Sequence, residues 1–249
     1  MKTKIAIIFG LFSIFGIAQN LPTIQTDRPD QTECPFIVPT NYLQMENGFS
    51  YQKTDDNSSE IVAPTVLLKY GINDHFELRM ITEFLLNKNF DENISGINPI
   101  LLGFKTRLFE EKGNVPITSF IAHLSIPKLS SLELKTTFYA PEFRFTMQHS
   151  LSEKQSLSYN LGAEWNGQTA EPIFIYTLTT GYSFSKKVSG YIELYGFIPQ
   201  FEKPDHRFDF GLNYLLKPNH QLDISGGFGF SETSPNYFVS LGYSFRFKI

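Results

Sequence analysis

Three groupings of side chains in this sequence have types and spacings that could do chemistry. His123-Leu124-Ser125 sets an imidazole and a hydroxyl two residues apart. On an extended chain both would share one face, where the imidazole could take the hydroxyl proton and create a nucleophile. A second grouping is a set of charges at alternating positions. Lys69, Arg79, Lys105, Arg107, Arg144, Arg207 and Arg246 oppose Glu46, Glu77, Glu83, Glu142, Glu164, Glu193, Asp209 and Asp223. Inside a closed structure such groups can pair across the interior or line a path for a polar solute. The third is Thr26, Asp27, Arg28 and Asp30, on a chain stiffened by Pro29, Pro35 and Pro39. A stiff segment with both signs of charge is suited to docking, because less entropy is lost on ordering it.

Other chemistry is excluded or unsupported. His75, His123, His149, His206 and His220 are scattered without ligand spacing, so no metal site is expected. Cys34 is the single cysteine, which rules out an internal disulfide. Gly226-Gly-Phe-Gly229 lies in a strand-like run with no helix after it, so it is no phosphate loop, and no cofactor is expected. A net charge of -4 without basic clusters argues against nucleic acid.

The elements that must position these groups are strands. Tyr237 to Ile249 alternates strictly after Phe238: Val239, Leu241, Tyr243, Phe245, Phe247 and Ile249 share one face, and Ser240, Gly242, Ser244, Arg246 and Lys248 the other. The same period recurs over about 41–52, 61–71, 75–86, 98–108, 116–127, 138–149, 155–165, 172–184, 188–199, 206–216 and 220–230. About twelve segments of roughly ten to thirteen residues suit a tilted membrane strand. Some sixteen charged residues in them all lie on the polar phase, and aromatics cluster near the ends of the apolar phase. That pattern predicts an all-β transmembrane antiparallel up-and-down barrel with an apolar exterior, a charged lumen and interfacial aromatic girdles. His123 of the possible catalytic pair and the charges above then become pore-lining candidates. Short turns near Asn73-Asp74, 110–114, 152–154, 185–187 and 217–219 alternate with segments such as 54–60, 87–96 and 128–136. The first set would face the periplasm and the second the outside.

The chain begins like an exported protein. Lys2 and Lys4 precede an apolar stretch from Ile5 to Ile17, and Gly16-Ile-Ala18 offers a cleavage site. The expected organisation is a signal peptide over 1–18, an N-terminal periplasmic or lumen-entering segment over 19–39, and a barrel over 40–249.

The stretch Thr26-Asp-Arg-Pro-Asp-Gln-Thr, then Pro35, Val38-Pro39 and Gln44-Met-Glu46-Asn-Gly48, resembles the opening of an outer-membrane transporter family named for the MetA-pathway of phenol degradation. Cys34-Pro35 stands where that pattern has Ser-Pro. The resemblance implies an outer-membrane barrel that passes small molecules, aromatic or hydrophobic compounds among them. Its expected partners are outer-membrane lipid, the barrel assembly machinery during biogenesis, and a small-molecule substrate. Two alternatives remain. One is a structural or partner-binding barrel with a closed lumen. The other is an outer-membrane lipid hydrolase using His123 and Ser125; the leading expectation is that the chain is no enzyme.

Overall fold

The computed structural model describes residues 21–55, 58–88 and 93–249. The expected signal peptide, with its cleavage point near Ala18, lies outside the described residues. Where the period-two runs predict strands, strands form: β1 Tyr42–Asp55, β2 Ser58–Asn73, β3 Phe76–Lys88, β4 Asn93–Ile97, β5 Ile100–Phe109, β6 Ile117–Ile126 and β7 Ala140–Ser150. The series continues with β8 Gln155–Glu164, β9 Ile173–Ser183, β10 Val188–Pro199, β11 Asp205–Lys217, β12 His220–Gly229 and β13 Tyr237–Lys248. Each pairs antiparallel with its neighbour, and β13 returns to β1, with Tyr42 opposite Lys248 and Gly48 opposite Gly242. The result is a closed barrel of 12 strands. Closure leaves no ladder edge to be satisfied in an apolar medium.

The faces follow the sequence phase. Leu178, Ile192, Leu194, Leu212, Ile224, Leu241 and Phe247 are exposed on the outside, while Glu46, Lys69, Glu77, Lys105 and Glu193 are buried inside. A barrel that is apolar outside and charged within is stable only with hydrocarbon around it. The histidines on the apolar phase sit beside aromatics at the strand ends. His220 Nδ1 lies 2.7 Å from the Tyr243 hydroxyl, and His206 Nδ1 lies 2.8 Å from that of Tyr176. Such pairs suit an interface, where a ring needs both an apolar body and a polar partner.

Two details depart from the sequence reading. The strand expected over about 98–108 forms as β5, and the stretch before it, read as connection, holds a further short strand, β4; both pair with β3. Pro99 separates them because its nitrogen has no hydrogen to give the ladder. The Asn98 N–H, bonded to the Glu83 carbonyl at 2.9 Å, carries the ladder up to that break. The outer connections expected over 54–60 and 87–96 are also shorter than read, because β1 and β2 run through most of the first and β3 and β4 through most of the second. These extensions carry Lys53 and Lys88 onto the outward phase near the barrel's loop end, beyond the apolar band. The connection after β6 instead holds two short 3₁₀ turns, Pro127–Leu129 and Leu132–Leu134.

Candidate functional site: the occupied lumen

Residues 22–39 run inside the barrel. The segment enters at the end that carries the tight turns, where the Ile24 N–H bonds the Pro218 carbonyl at 2.8 Å and Arg246 grips the Pro22 carbonyl. It then makes a circuit of the inner wall. Gln44 on β1 donates to the Gln25 carbonyl, and Gln221 on β12 to the Thr26 hydroxyl. Further on, the Glu33 N–H bonds Asn160 on β8, Ser119 on β6 holds the Pro35 carbonyl, and the Val38 N–H bonds Glu77 on β3. Prolines at 29, 35 and 39 keep this stretch from pairing as a strand, so wall side chains satisfy its backbone groups.

Asp27 is the centre of the site. Its Oδ2 accepts from Lys69 Nζ and Arg79 Nη1, both at 2.8 Å. Its Oδ1 accepts from Lys105 Nζ at 2.9 Å and from the Cys34 N–H at 3.0 Å. The three cations come from β2, β3 and β5 and their side chains are 0–1% exposed. Burial alone would raise the Asp27 pKa, but the charges of Lys105, Lys69 and Arg79 outweigh it and hold the carboxyl well below its usual range. Glu46 completes the grip, taking the backbone N–H of both Asp27 and Arg28.

Arg28 points the other way. Its Nη2 donates to Asp223 at 3.1 Å, to the Ser240 hydroxyl at 2.8 Å and to the Leu241 carbonyl at 3.1 Å. Further along, the Thr32 hydroxyl lies 2.5 Å from Glu193 and 2.6 Å from the hydroxyls of Thr177 and Thr179. The Gln31 N–H takes the other Glu193 oxygen at 2.7 Å. Asp30 is half-buried near Glu193 and Asp209, and desolvation first, then those two charges, raise its pKa well above the ordinary value. Burial, aided by Asp27, pushes the Cys34 thiol up to about 12.

The sequence-selected residues divide into two groups. Glu46, Lys69, Glu77, Arg79, Lys105, Arg144, Glu193, Asp223 and Arg246 meet the N-terminal segment directly. The others bond wall or turn groups, although the Asp209 carboxylate also stands near Asp30 of the segment. Glu83 bonds Thr65 and Asn98, Arg207 pairs with Asp205, and Arg107 pairs with Glu110 at the turn end. Glu164 approaches Arg144 at 3.8 Å, and Asp209 accepts from the Tyr191 hydroxyl at 3.1 Å. Asn160, Ser119 and the glycines 48 and 242 were missed as site residues, since nothing local marks an uncharged or absent side chain as a contact; Glu33, which pairs with Arg79, was missed because it lies outside any strand phase.

His123 does not form a nucleophile pair. Arg79 Nε lies 3.0 Å from His123 Nε2, and an arginine nitrogen can only donate. Nε2 is therefore the acceptor, and Nδ1 carries the proton toward Glu142 at 2.5 Å. Both nitrogens are committed, so none is left to take a proton from Ser125.

Between the segment and the wall of β7 to β12 lies a cavity of about 420 Å³ toward the turn end. Its lining is mostly hydroxyl and amide, with Thr26, Thr32, Gln148, Ser158, Thr179 and Gln221 among it.

A closed antiparallel barrel, apolar outside and filled with buried charge, defines a membrane β-barrel with an internal plug segment. The chain belongs to the family described as "Putative MetA-pathway of phenol degradation", whose sequence model matches residues 26–247. The match thus begins on the segment that docks in the lumen. In fold the chain is similar to the COG4313 outer membrane channel from Pseudomonas putida F1, with a TM-score of 0.69 at 16% identity over 85% of this chain and 97% of that one. It is also similar to the KdgM porin, with a TM-score of 0.55 at 12% identity over 82% and 99% of the two chains. The NanC porin gives 0.54 at 10% identity over 82% and 98%. At these identities the likeness is one of fold. No curated protein matches the sequence.

Proposed function

We propose that this protein is an outer-membrane channel for small molecules, held shut in the state described by its own N-terminal segment. The observation that carries this reading is the pairing of a lumen-crossing segment with a polar cavity beside it. A barrel that needed only rigidity could fill its interior with wall side chains. This one closes it with a separate stretch of chain, and a stretch tied by polar contacts can leave when those contacts are exchanged. The turn end would face the periplasm. Fold likeness to outer-membrane channels and membership of the family support the same role.

The cavity lining bears on the solute. A hydrophobic compound would need apolar and aromatic lining, and hydroxyls and amides dominate instead. We therefore favour polar solutes, including polar aromatic ones, over hydrocarbons. The test is single-channel recording of the refolded mature chain beside a variant lacking residues 26–39. Wild type should be mostly closed, and the deletion should raise conductance. Two folded, heat-modifiable barrels that are both silent would leave the second reading, a structural or partner-binding barrel. Its supporting observation is the density of contacts that hold the segment.

A further inference from the structure

We infer that Lys69, Arg79 and Lys105 form a carboxylate-binding site on the lumen wall, that Asp27 occupies it as an internal stand-in, and that the solute admitted is a small carboxylate which displaces Asp27. The transport part rests on the channel reading above; the binding part does not. The three cations converge on one carboxylate from three neighbouring barrel strands, and all are buried. The wall supplies only part of their compensation. Glu46 lies 2.5 Å from Lys69, and Glu77 lies 3.1 Å from Arg79 and 3.9 Å from Lys105. Three cations against two carboxylates leave a net charge of +1 on the wall (3 − 2 = 1). Withdrawal of the segment removes Asp27 and also Glu33, which lies 2.6 Å from Arg79.

A buried excess charge is costly unless it is met by an opposite one. Opening therefore favours any state in which an anion replaces Asp27. The geometry selects the anion. Two oxygens of one planar group are used, Oδ2 by Lys69 and Arg79 and Oδ1 by Lys105. A monocarboxylate reproduces both oxygens and neutralises the single excess charge. Chloride offers one centre for three donors. There is also an approach, because Thr26, Arg28 and Cys34, which flank or bond Asp27, line the cavity. A ligand that binds only the opened wall shifts the docking equilibrium by mass action.

Cys34 gives a readout that needs no current. It is the single cysteine, its N–H is bonded to Asp27, and in the docked segment burial and the Asp27 charge keep its thiol protonated and slow to react. The experiment measures N-ethylmaleimide alkylation of Cys34 in the refolded mature chain, in sodium acetate and in sodium chloride at equal ionic strength. In wild type, acetate should speed alkylation about fivefold or more, because it displaces Asp27. In Asp27→Gly the side chain removed is nearly acetate itself, so acetate should refill the site and slow alkylation by a similar factor. Opposite signs in the two proteins cannot come from ionic screening. Absence of protection in Asp27→Gly overturns the site, and protection there without exposure in wild type overturns the displacement. A variant that refolds only with acetate present counts as protection. One that refolds under neither condition is replaced by Asp27→Ala, read the same way. A barrel silent in bilayers would defeat the channel reading and leave this readout intact.

Discussion

Gly48 and Gly242 face each other in the β1–β13 register, and the guanidinium of Arg28 fills the space their missing side chains leave. A Cβ on Gly48 would stand 2.1 Å from Arg28 Nη1, and one on Gly242 would stand 2.5 Å from its Nε and 2.4 Å from Asp223 Oδ2. These glycines are required for close approach and not for an unusual backbone angle. Gly48→Val should therefore expel Arg28 and loosen the segment, raising Cys34 alkylation roughly tenfold, which corresponds to about 1.4 kcal/mol. Once Arg28→Ala has emptied the niche, adding Gly48→Val should change little more. Groups in contact are non-additive by about 0.5–3 kcal/mol. Equal increments in both backgrounds would mean that the niche does not hold Arg28.

Arg79 is the residue on which most of the buried charge depends. It bonds Asp27, Glu33, Glu77 and His123 at once. Arg79→Ala leaves three carboxylates short of a partner, and breaking a buried pair costs about 3–5 kcal/mol. The urea midpoint of the barrel in lipid vesicles should fall accordingly. Arg79→Lys keeps the charge but loses the planar fork, so it should recover part of the loss and not all of it. A lysine variant as stable as wild type would show that charge alone matters there.

The barrel was legible because each strand repeats a two-residue period that bilayer and lumen both enforce. Val239, Leu241 and Tyr243 must face lipid, and Ser240, Gly242 and Ser244 then have no choice. The short strand β4 was not visible, since Pro99 cuts it off from β5 and its five residues are too few to show a period. The site was half legible. Charges such as Lys69 and Glu193 could be placed on the inner face by phase alone. Which of them meet was hidden, because it depends on register between strands far apart in sequence and on the path of residues 22–39. One clue did lie in the motif. Asp27-Arg28 and Gln44-x-Glu46-x-Gly48 stand in the same short stretch, and the structure joins them: Gln44 holds the Gln25 carbonyl, Glu46 takes two backbone N–H groups, and Gly48 makes room for Arg28.

The two aspartates of the segment should give docking an opposed pH dependence. An undocked Asp30 titrates near 3.9. Docked, it faces Glu193 of β10 and Asp209 of β11, with Asp27 on its own segment, and burial together with those charges raises its pKa. A raised pKa means that its contribution to docking is fully present below about 3.9 and is lost as pH rises through the docked value. Asp27 has the opposite sign. Its contribution is fully present above about 3.9 and is lost only as pH falls through its depressed value. Mild acid therefore tightens the segment, because Asp30 takes up a proton while Asp27 stays ionised. Open probability in single-channel records should be lower at pH 5 than at pH 7.5. Asp30→Asn, which has no proton to gain, should flatten that part of the profile and hold the channel more firmly shut at neutral pH. An Asp30→Asn profile as steep as that of wild type would place the titrating group elsewhere in the lumen.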